Sequence, residues 1–268
     1  MHGHPCLGGN RHKNGRVHLA VAPRCNISCA YCERKHDCAN ESRPGVTSRL
    51  QTPRSALDHL RQIMSDKKMA DIIKVVGIAG PGDPLANTET FETFRLVKEE
   101  FPQLMLCMST NGLLLPDKID ELLQLGLHSL TVTINTLSPE VGSRIYRDVT
   151  LDGVRYQGAE GAKLLIERQI EGVRLASGRG VVVKVNTVLI PGCNDGQVPI
   201  VADTISRLGA FVMNVMPLIP CAAFKDVVPP AAEYLESIRV ANERIIPQFR
   251  HCSQCRADAF GLIGAEES

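Results

Sequence analysis

The chain has no surplus of charge of either sign. Its 268 residues carry 30 Lys and Arg against 29 Asp and Glu. A balance of that kind offers no basic field to nucleic acid or to an anionic membrane, so neither is expected as a partner. Long apolar runs are also missing. No stretch reaches the 18 continuous apolar residues that mark a membrane-crossing helix, so no span is expected. Residues 1–15 are polar, with His and Gly and no apolar h-region of a secretory signal. A cytoplasmic location is therefore the expectation. In that compartment thiols stay reduced, and the ten cysteines are read as metal ligands, catalytic thiols or core residues, not as disulfides. No solenoid repeat, low-complexity segment or internal domain boundary interrupts residues 17–247.

What the chain does have is a concentration of thiols near its start. Cys25, Cys29 and Cys32 stand at C-x3-C-x2-C, on a loop after the apolar run Val17 to Ala22. Soft sulfur ligands at such short spacing suit a metal ion or cluster. Zinc sites usually close with a fourth Cys or His, and ferredoxin runs carry a fourth Cys. Three ligands to a cubane of four irons leave one iron open for a substrate. The competing reading is three thiols that are close by accident. Cys6 and Cys38 flank the motif, Cys107 is alone in a strand, and Cys193 and Cys221 sit in turns without an assigned partner. Cys252 and Cys255 form a C-x2-C that suits a cluster or a zinc site.

The rest of the sequence alternates strand and helix. Strands are expected at Val17–Ala22, Ile72–Ala79, Leu104–Ser109, Ser129–Asn135, Val181–Ile190 and Phe211–Met216. Helices are expected from Thr52-Pro53 onward, then at Thr88–Phe101, Asp117–Leu125, Tyr156–Val173, Val198–Leu208 and Ala231–Ile246. Continuous apolar strands alternating with helices argue for an α/β fold with a parallel sheet and right-handed crossovers. Six units fall short of the eight of a closed barrel. The expected fold is a partial (β/α)6 TIM-like barrel at residues 17–247. An N-terminal arm, 1–16, and a C-terminal tail, 248–268, both bear cysteines and would cover the missing wall.

In such folds ligands gather at the C-terminal ends of the strands. Those ends carry the three cysteines, then Gly80-Pro81-Gly82-Asp83-Pro84, then Ser109 and Asn111. Thr133, Asn135 and Asn186 follow, and then Met216 to Leu218. Each could also be an ordinary turn or a satisfied strand-end polar group.

C-x3-C-x2-C with Tyr31 before its third cysteine, on a six-unit α/β chain, resembles the radical S-adenosylmethionine (SAM) superfamily. The resemblance implies a four-iron four-sulfur cluster on Cys25, Cys29 and Cys32, which are then the catalytic residues. Its open iron would bind the amino and carboxylate groups of SAM. One electron would release a 5′-deoxyadenosyl radical that abstracts hydrogen. Gly80, Gly82, Asp83 and Pro84 would present backbone to the methionine amino group. Ser109, Asn111, Thr133, Asn135 and Asn186 would hold carboxylate and ribose, and Tyr31, Ile190 and Met216 would flank the adenine.

A narrower resemblance rests on His4-Pro5-Cys6, on Cys25 to Cys32, and on the block Asp37-Cys38-Ala39-Asn40-Glu41-Ser42-Arg43-Pro44-Gly45-Val46. Gly77 to Leu85, Lys184 to Thr187 and Cys252-x-x-Cys255 agree with it. The chain is similar to the nitrogenase cofactor maturases of that superfamily, in a short form that stops before a C-terminal cofactor-carrier domain. The resemblance implies an enzyme, of lyase type, that inserts a carbide and fuses two four-iron clusters into an eight-iron precursor. It also implies three 4Fe-4S clusters, with two of them as substrates. Cys38 and Cys107 with an imidazole would hold the first, and Glu41 would add a transient oxygen. His4 is the chosen imidazole, with His12 and His18 as alternatives. Cys6, Cys252 and Cys255 would hold the second. Expected partners are an iron–sulfur cluster donor, a cofactor-accepting scaffold of nitrogenase assembly, and a reductase or ferredoxin. Rival readings are a molybdopterin-precursor cyclase, a peptide-modifying maturase, a non-enzymatic iron–sulfur scaffold and a zinc-binding structural protein.

Overall fold

The computed structural model of the chain describes residues 4–7, 12–33, 49–250 and 257–262. In chain order come strands β1 (Gly15–His18) and β2 (Ile27–Cys29), then helices α1 (Pro53–Ser65) and α2 (Lys67–Ile72). Next are β3 (Ile73–Ile78), α3 (Thr88–Glu100), β4 (Met105–Thr110), α4 (Leu115–Gln124) and β5 (Leu127–Thr133). Helix α5 (Pro139–Ile145), the hairpin β6 (Tyr146–Leu151) and β7 (Val154–Gln157), and α6 (Gly158–Gly178) follow. The chain continues through β8 (Val182–Leu189), α7 (Val198–Arg207), β9 (Val212–Pro217), α8 (Ala232–Glu243) and β10 (Phe260–Leu262).

The main sheet runs β10-β1-β3-β4-β5-β8-β9. Its six central strands are all parallel, as the strand–helix alternation predicts, and the sheet curls into a half-barrel. Val76, Leu106, Met108, Leu130, Val132, Val183, Val185 and Met213 pack against the helices in one apolar core. Strand alternation then turns the residues between them to the concave side. That side carries His18, Gly77, Cys107, Ser129, Lys184, Asn186 and Asn214. Among the described residues no helix is long and apolar enough to cross a membrane.

Local signals explain several boundaries. Thr52 and Ser55 form a reciprocal capping box at the start of α1, with Pro53 at its first position. Gly126, at φ +80°, ends α4 in the left-handed region that glycine favours.

Four features differ from the sequence expectation. The first ladder covers Gly15–His18, and after a tight turn in which Val21 N–H donates to Leu19 O at 3.0 Å, a single bridge joins Ala22 to Pro81. The expected helix at Tyr156 begins at Gly158 instead, because Tyr156 and Gln157 pair with Val149 and Asp148 in the hairpin. A second sheet, β2-β6-β7, ties that hairpin to the cysteine loop. At the far edge β10 pairs antiparallel with β1, so part of the C-terminal segment extends the sheet.

Candidate functional site

The cysteine loop is held from both sides. β2 pairs with β6, Thr150 N–H donates to Asn26 O at 2.8 Å, and Ala30 N–H donates to Ile145 O at 2.7 Å. Beyond β9, Ala223 N–H donates to Ala30 O at 2.9 Å. None of Cys25, Cys29 and Cys32 is in a disulfide; Cys29 is buried and the others are half-buried. Among the described residues no three His, Cys, Asp or Glu close around a single ion. A cubane presents separate irons, so its ligands stand wider apart than those of one ion. Three reduced thiols, all soft donors, on one pinned loop fit such a cluster.

The turn Gly80 to Pro84 packs backbone to backbone against the chain entering this loop. Ala22 N–H donates to Gly80 O at 3.3 Å, Gly82 N–H to Ala22 O at 2.6 Å, and Asp83 N–H to Arg24 O at 2.8 Å. The amides of Gly82 and Asp83 are thus spent inside the protein. A Cβ on Gly82 would lie 2.2 Å from Arg24 O, which is backbone and cannot swing away. Gly82→Ala is expected to cost about 1–3 kcal/mol by overpacking, and to lower SAM affinity because the loop must shift. Chemical denaturation and SAM titration check this; unchanged values for both would contradict it.

Asp83 joins this turn to the end of β4. Its side chain is buried and accepts from Leu85 N–H at 3.0 Å, Asn111 N–H at 2.6 Å and Thr110 Oγ1 at 2.9 Å. Burial pushes its carboxyl up to about 6 in spite of these donors. Asn111, so anchored, donates from Nδ2 to Asn26 Oδ1 at 2.7 Å, with Cys25 Sγ 3.7 Å away. Asn26 Nδ2 is buried without a hydrogen-bond partner, beside the thiols. Asn87 stands at the N-cap of α3 yet makes no side-chain cap. Its amide instead accepts from Arg24 N–H at 3.1 Å and donates to Arg24 O and Asp83 O. A helix cap is given up to brace the cysteine loop.

Asn135 is also committed to the protein. Its Nδ2 donates to Tyr31 Oη at 2.8 Å, and its Oδ1 accepts from Val188 N–H at 2.9 Å. It therefore positions Tyr31, which is 1% exposed. Tyr31, Val188, Ile190, Met216 and Leu218 share an apolar cluster with Cys29, and Cys25 and Cys32 pack against it. Thr133 and Asn186 are buried at the ends of β5 and β8, and Asn186 Oδ1 accepts from Asn214 Nδ2 at 3.1 Å. Ser109 is on the concave side of β4, half-buried. Gln169, buried on α6, donates to Asn111 O at 2.8 Å and Thr133 O at 2.9 Å, tying the ends of β4 and β5 together. Asn26, Thr110 and Gln169 carry no motif of their own; only Asn26, inside the C-x3-C-x2-C loop, had a signal to follow.

Deeper in the half-barrel stands a second group. His18, Gly77 and Cys107 are register partners across three neighbouring strands. A Cβ on Gly77 would lie 2.7 Å from His18 Cδ2, so the imidazole covers the glycine on the side of Cys107. His4 is 2% exposed and reaches Ser129 on β5. Cys6 is half-buried beside it, and His12 is exposed. Cys38, Glu41, Cys252 and Cys255 lie outside the described residues, as does the Asp37 to Val46 block. Burial lifts the Cys221 thiol, and so does the Glu33 carboxylate next to it, one residue from Cys32. Burial lifts the Cys193 thiol as well, between Arg144 and Asp195.

Comparison with known proteins fits this arrangement. Residues 19–205 match the family model of the radical SAM superfamily. The FeMo cofactor biosynthesis protein NifB of Klebsiella pneumoniae is 48% identical over 99% of this chain and 58% of its own length. The protein of that name from Methanocaldococcus infernus is 48% identical over 98% of this chain and 87% of its own length. The chain thus spans less than two thirds of the first relative and most of the second. Among solved structures, SuiB of Streptococcus suis superposes with a TM-score of 0.59 at 13% identity, over 87% of this chain and 47% of its own, a likeness of fold. A loop of three reduced thiols, its bracing turn and 48% identity over nearly all of this chain agree: the chain belongs to the radical SAM superfamily and, within it, to the family of the FeMo cofactor biosynthesis protein NifB.

Proposed function

We propose that the chain uses SAM to insert a carbide and to fuse two four-iron clusters into the eight-iron precursor of the nitrogenase cofactor. One observation supports this reading: two sets of Cys and His side chains, of the types that ligate iron, share one concave face at different depths. Cys25, Cys29 and Cys32 stand at the mouth, while His18 and Cys107 stand lower in the same half-barrel. Cys25, Cys29 and Cys32 would hold a four-iron cluster, which when bound would supply the one electron that opens the SAM sulfonium. Asn111 and the open donor of Asn26 orient polar groups at that mouth, and the Tyr31, Ile190 and Met216 wall excludes water from the adenine side.

The lower group holds substrate. Between the candidate imidazoles the register favours His18 over His4: His18 lies two strands from Cys107, about 10 Å between backbones, with a glycine between them that leaves room for the ring. Cys38 would complete that site, with Glu41 as a transient oxygen ligand, and Cys6, Cys252 and Cys255 would hold the second substrate cluster. One SAM would pass its methyl group to a sulfide of the second cluster, leaving S-adenosylhomocysteine. The radical from another would take a hydrogen from that methyl, leaving 5′-deoxyadenosine and methionine. The two remaining protons would then leave that carbon, with the irons of the coupling clusters, kept reduced by the reductase or ferredoxin, supplying the electrons that make it a carbide. The reaction places the chain with an iron–sulfur donor, a cofactor-accepting scaffold and a reductase or ferredoxin of the cytoplasm.

Iron counting after anaerobic reconstitution tests the three-cluster arrangement. The wild type is expected to hold about twelve irons, three cubanes of four. Cys252→Ser with Cys255→Ser is expected to lose about a third of them, and so is His18→Ala with Cys107→Ser. Iron near one cubane per chain, unmoved by either pair, would overturn it.

A further inference from the structure

His4 was the imidazole that the sequence favoured as a ligand, and its surroundings give it other work. Its Nδ1 lies 3.1 Å from Cys6 N, and an amide N–H can only donate, so Nδ1 is the acceptor. The proton of the neutral ring is then on Nε2, which donates to Ser129 Oγ at 3.0 Å. The ring also stacks on His128, with centroids 5.9 Å apart and planes within 12°. Leu7 N–H donates to His4 O at 3.3 Å, closing the arm into a turn around this ring. The imidazole is thus bonded through both nitrogens and packed on one face. Ser129 is the register partner of Cys107 on the neighbouring strand, so the arm is moored one strand away from the lower group.

We infer that His4 is a positioning residue that moors the N-terminal arm to Ser129 and sets Cys6 over the lower chamber, and that it is not itself a cluster ligand. The inference rests on the proposed substrate role of Cys6 for its functional meaning, but the mooring stands on its own contacts. A serine hydroxyl and a stacked imidazole on β5 give the arm one docking register. Cys6, two residues on, has its amide fixed by the same ring.

Two measurements test this. In the full chain without clusters, hydrogen exchange of the Cys6 amide is expected to quicken about tenfold in His4→Ala and also in Ser129→Ala, because one anchoring hydrogen bond is lost in each. Rates equal to wild type in both variants would overturn the mooring. In the reconstituted holoprotein, pulsed electron paramagnetic resonance reads nitrogen coupling from a ligating imidazole. His4→Ala and Ser129→Ala are expected to keep that coupling while losing up to a third of the iron. Loss of the coupling in His4→Ala, with its retention in Ser129→Ala, would make His4 a ligand and overturn the inference. If the wild type holds a single cubane, the three-cluster proposal fails, and the exchange experiment still decides the mooring.

Discussion

Replacing Cys25, Cys29 and Cys32 together with serine is expected to reduce SAM cleavage to background while leaving iron at the two proposed substrate sites. Serine offers a hard, protonated oxygen where iron–sulfur chemistry needs a soft thiolate. The loop itself should survive, because its frame is β2 on β6 and the backbone bonds of Asn26 and Ala30, and none of these uses a thiol. 5′-Deoxyadenosine formed under a chemical reductant is the readout, with iron content beside it. Cleavage at the wild-type rate would remove the loop from the chemistry. Loss of all iron would make it a folding element for the whole chain instead.

The second large effect belongs to Asp83. Its carboxylate holds the turn, β4 and Asn111 in one place with four hydrogen-bond contacts, all of them buried. Folding raises this carboxyl from 3.8 to about 6, so the native state binds its proton more tightly than the unfolded chain does. The associated stability is fully present below about pH 4 and is lost as pH rises to about 6. At about 1.4 kcal/mol per pH unit, the loss across that window is about 3 kcal/mol. Asp83→Asn removes the titration, and sets an amide N–H against either Leu85 N–H or Asn111 N–H. The stability difference between wild type and Asp83→Asn, measured by urea unfolding of the cluster-free chain, is expected to change by about that amount between pH 4 and 6.5. A difference that stays flat with pH would contradict the buried-charge account. SAM affinity of the variant is expected to fall about tenfold, as a single misplaced polar contact costs about 1.4 kcal/mol. Unchanged affinity would detach Asn111 from the SAM site.

The parallel half-barrel was legible because its strands are buried on both faces. Runs such as Ile73 to Ile78 and Val182 to Leu189 read as strands without any partner being known. The small sheet was not legible. β6 buries only Tyr146 and Val149 fully, and β7 buries nothing fully, so neither has the apolar density of a core strand. Their pairing is decided by the cysteine loop, more than a hundred residues earlier in the chain. α5 did leave a signal, Ser138 as N-cap and Pro139 at the first position, but at seven residues it is too short for helical periodicity to register.

The candidate site divides in the same way. The thiols and the glycine turn announce themselves because the chemistry restricts residue type at fixed spacing. The family resemblance made Asn135 one of the polar residues expected to hold the SAM carboxylate and ribose, with an ordinary satisfied strand-end group as the alternative. Its amide bonds Tyr31 and Val188, and no sequence pattern announces those partners. The sequence resemblance made His4 the chosen imidazole, with His12 and His18 as alternatives, and no spacing rule separated them. Register sets His18 in line with Cys107, while His4 faces Ser129. Asn87 breaks the expected capping rule, and its side chain braces Arg24 and Asp83 next to the thiol loop.

The most direct test of the whole account follows the methyl carbon of SAM. Reconstituted protein is given SAM labelled at that carbon, with a reductant, and the eight-iron product is separated from the chain. The label is expected in the product, one carbon per eight irons, and is expected to be absent when Cys25, Cys29 and Cys32 are replaced. Label found only in methionine and other small-molecule products, beside an unlabelled eight-iron species, would contradict it.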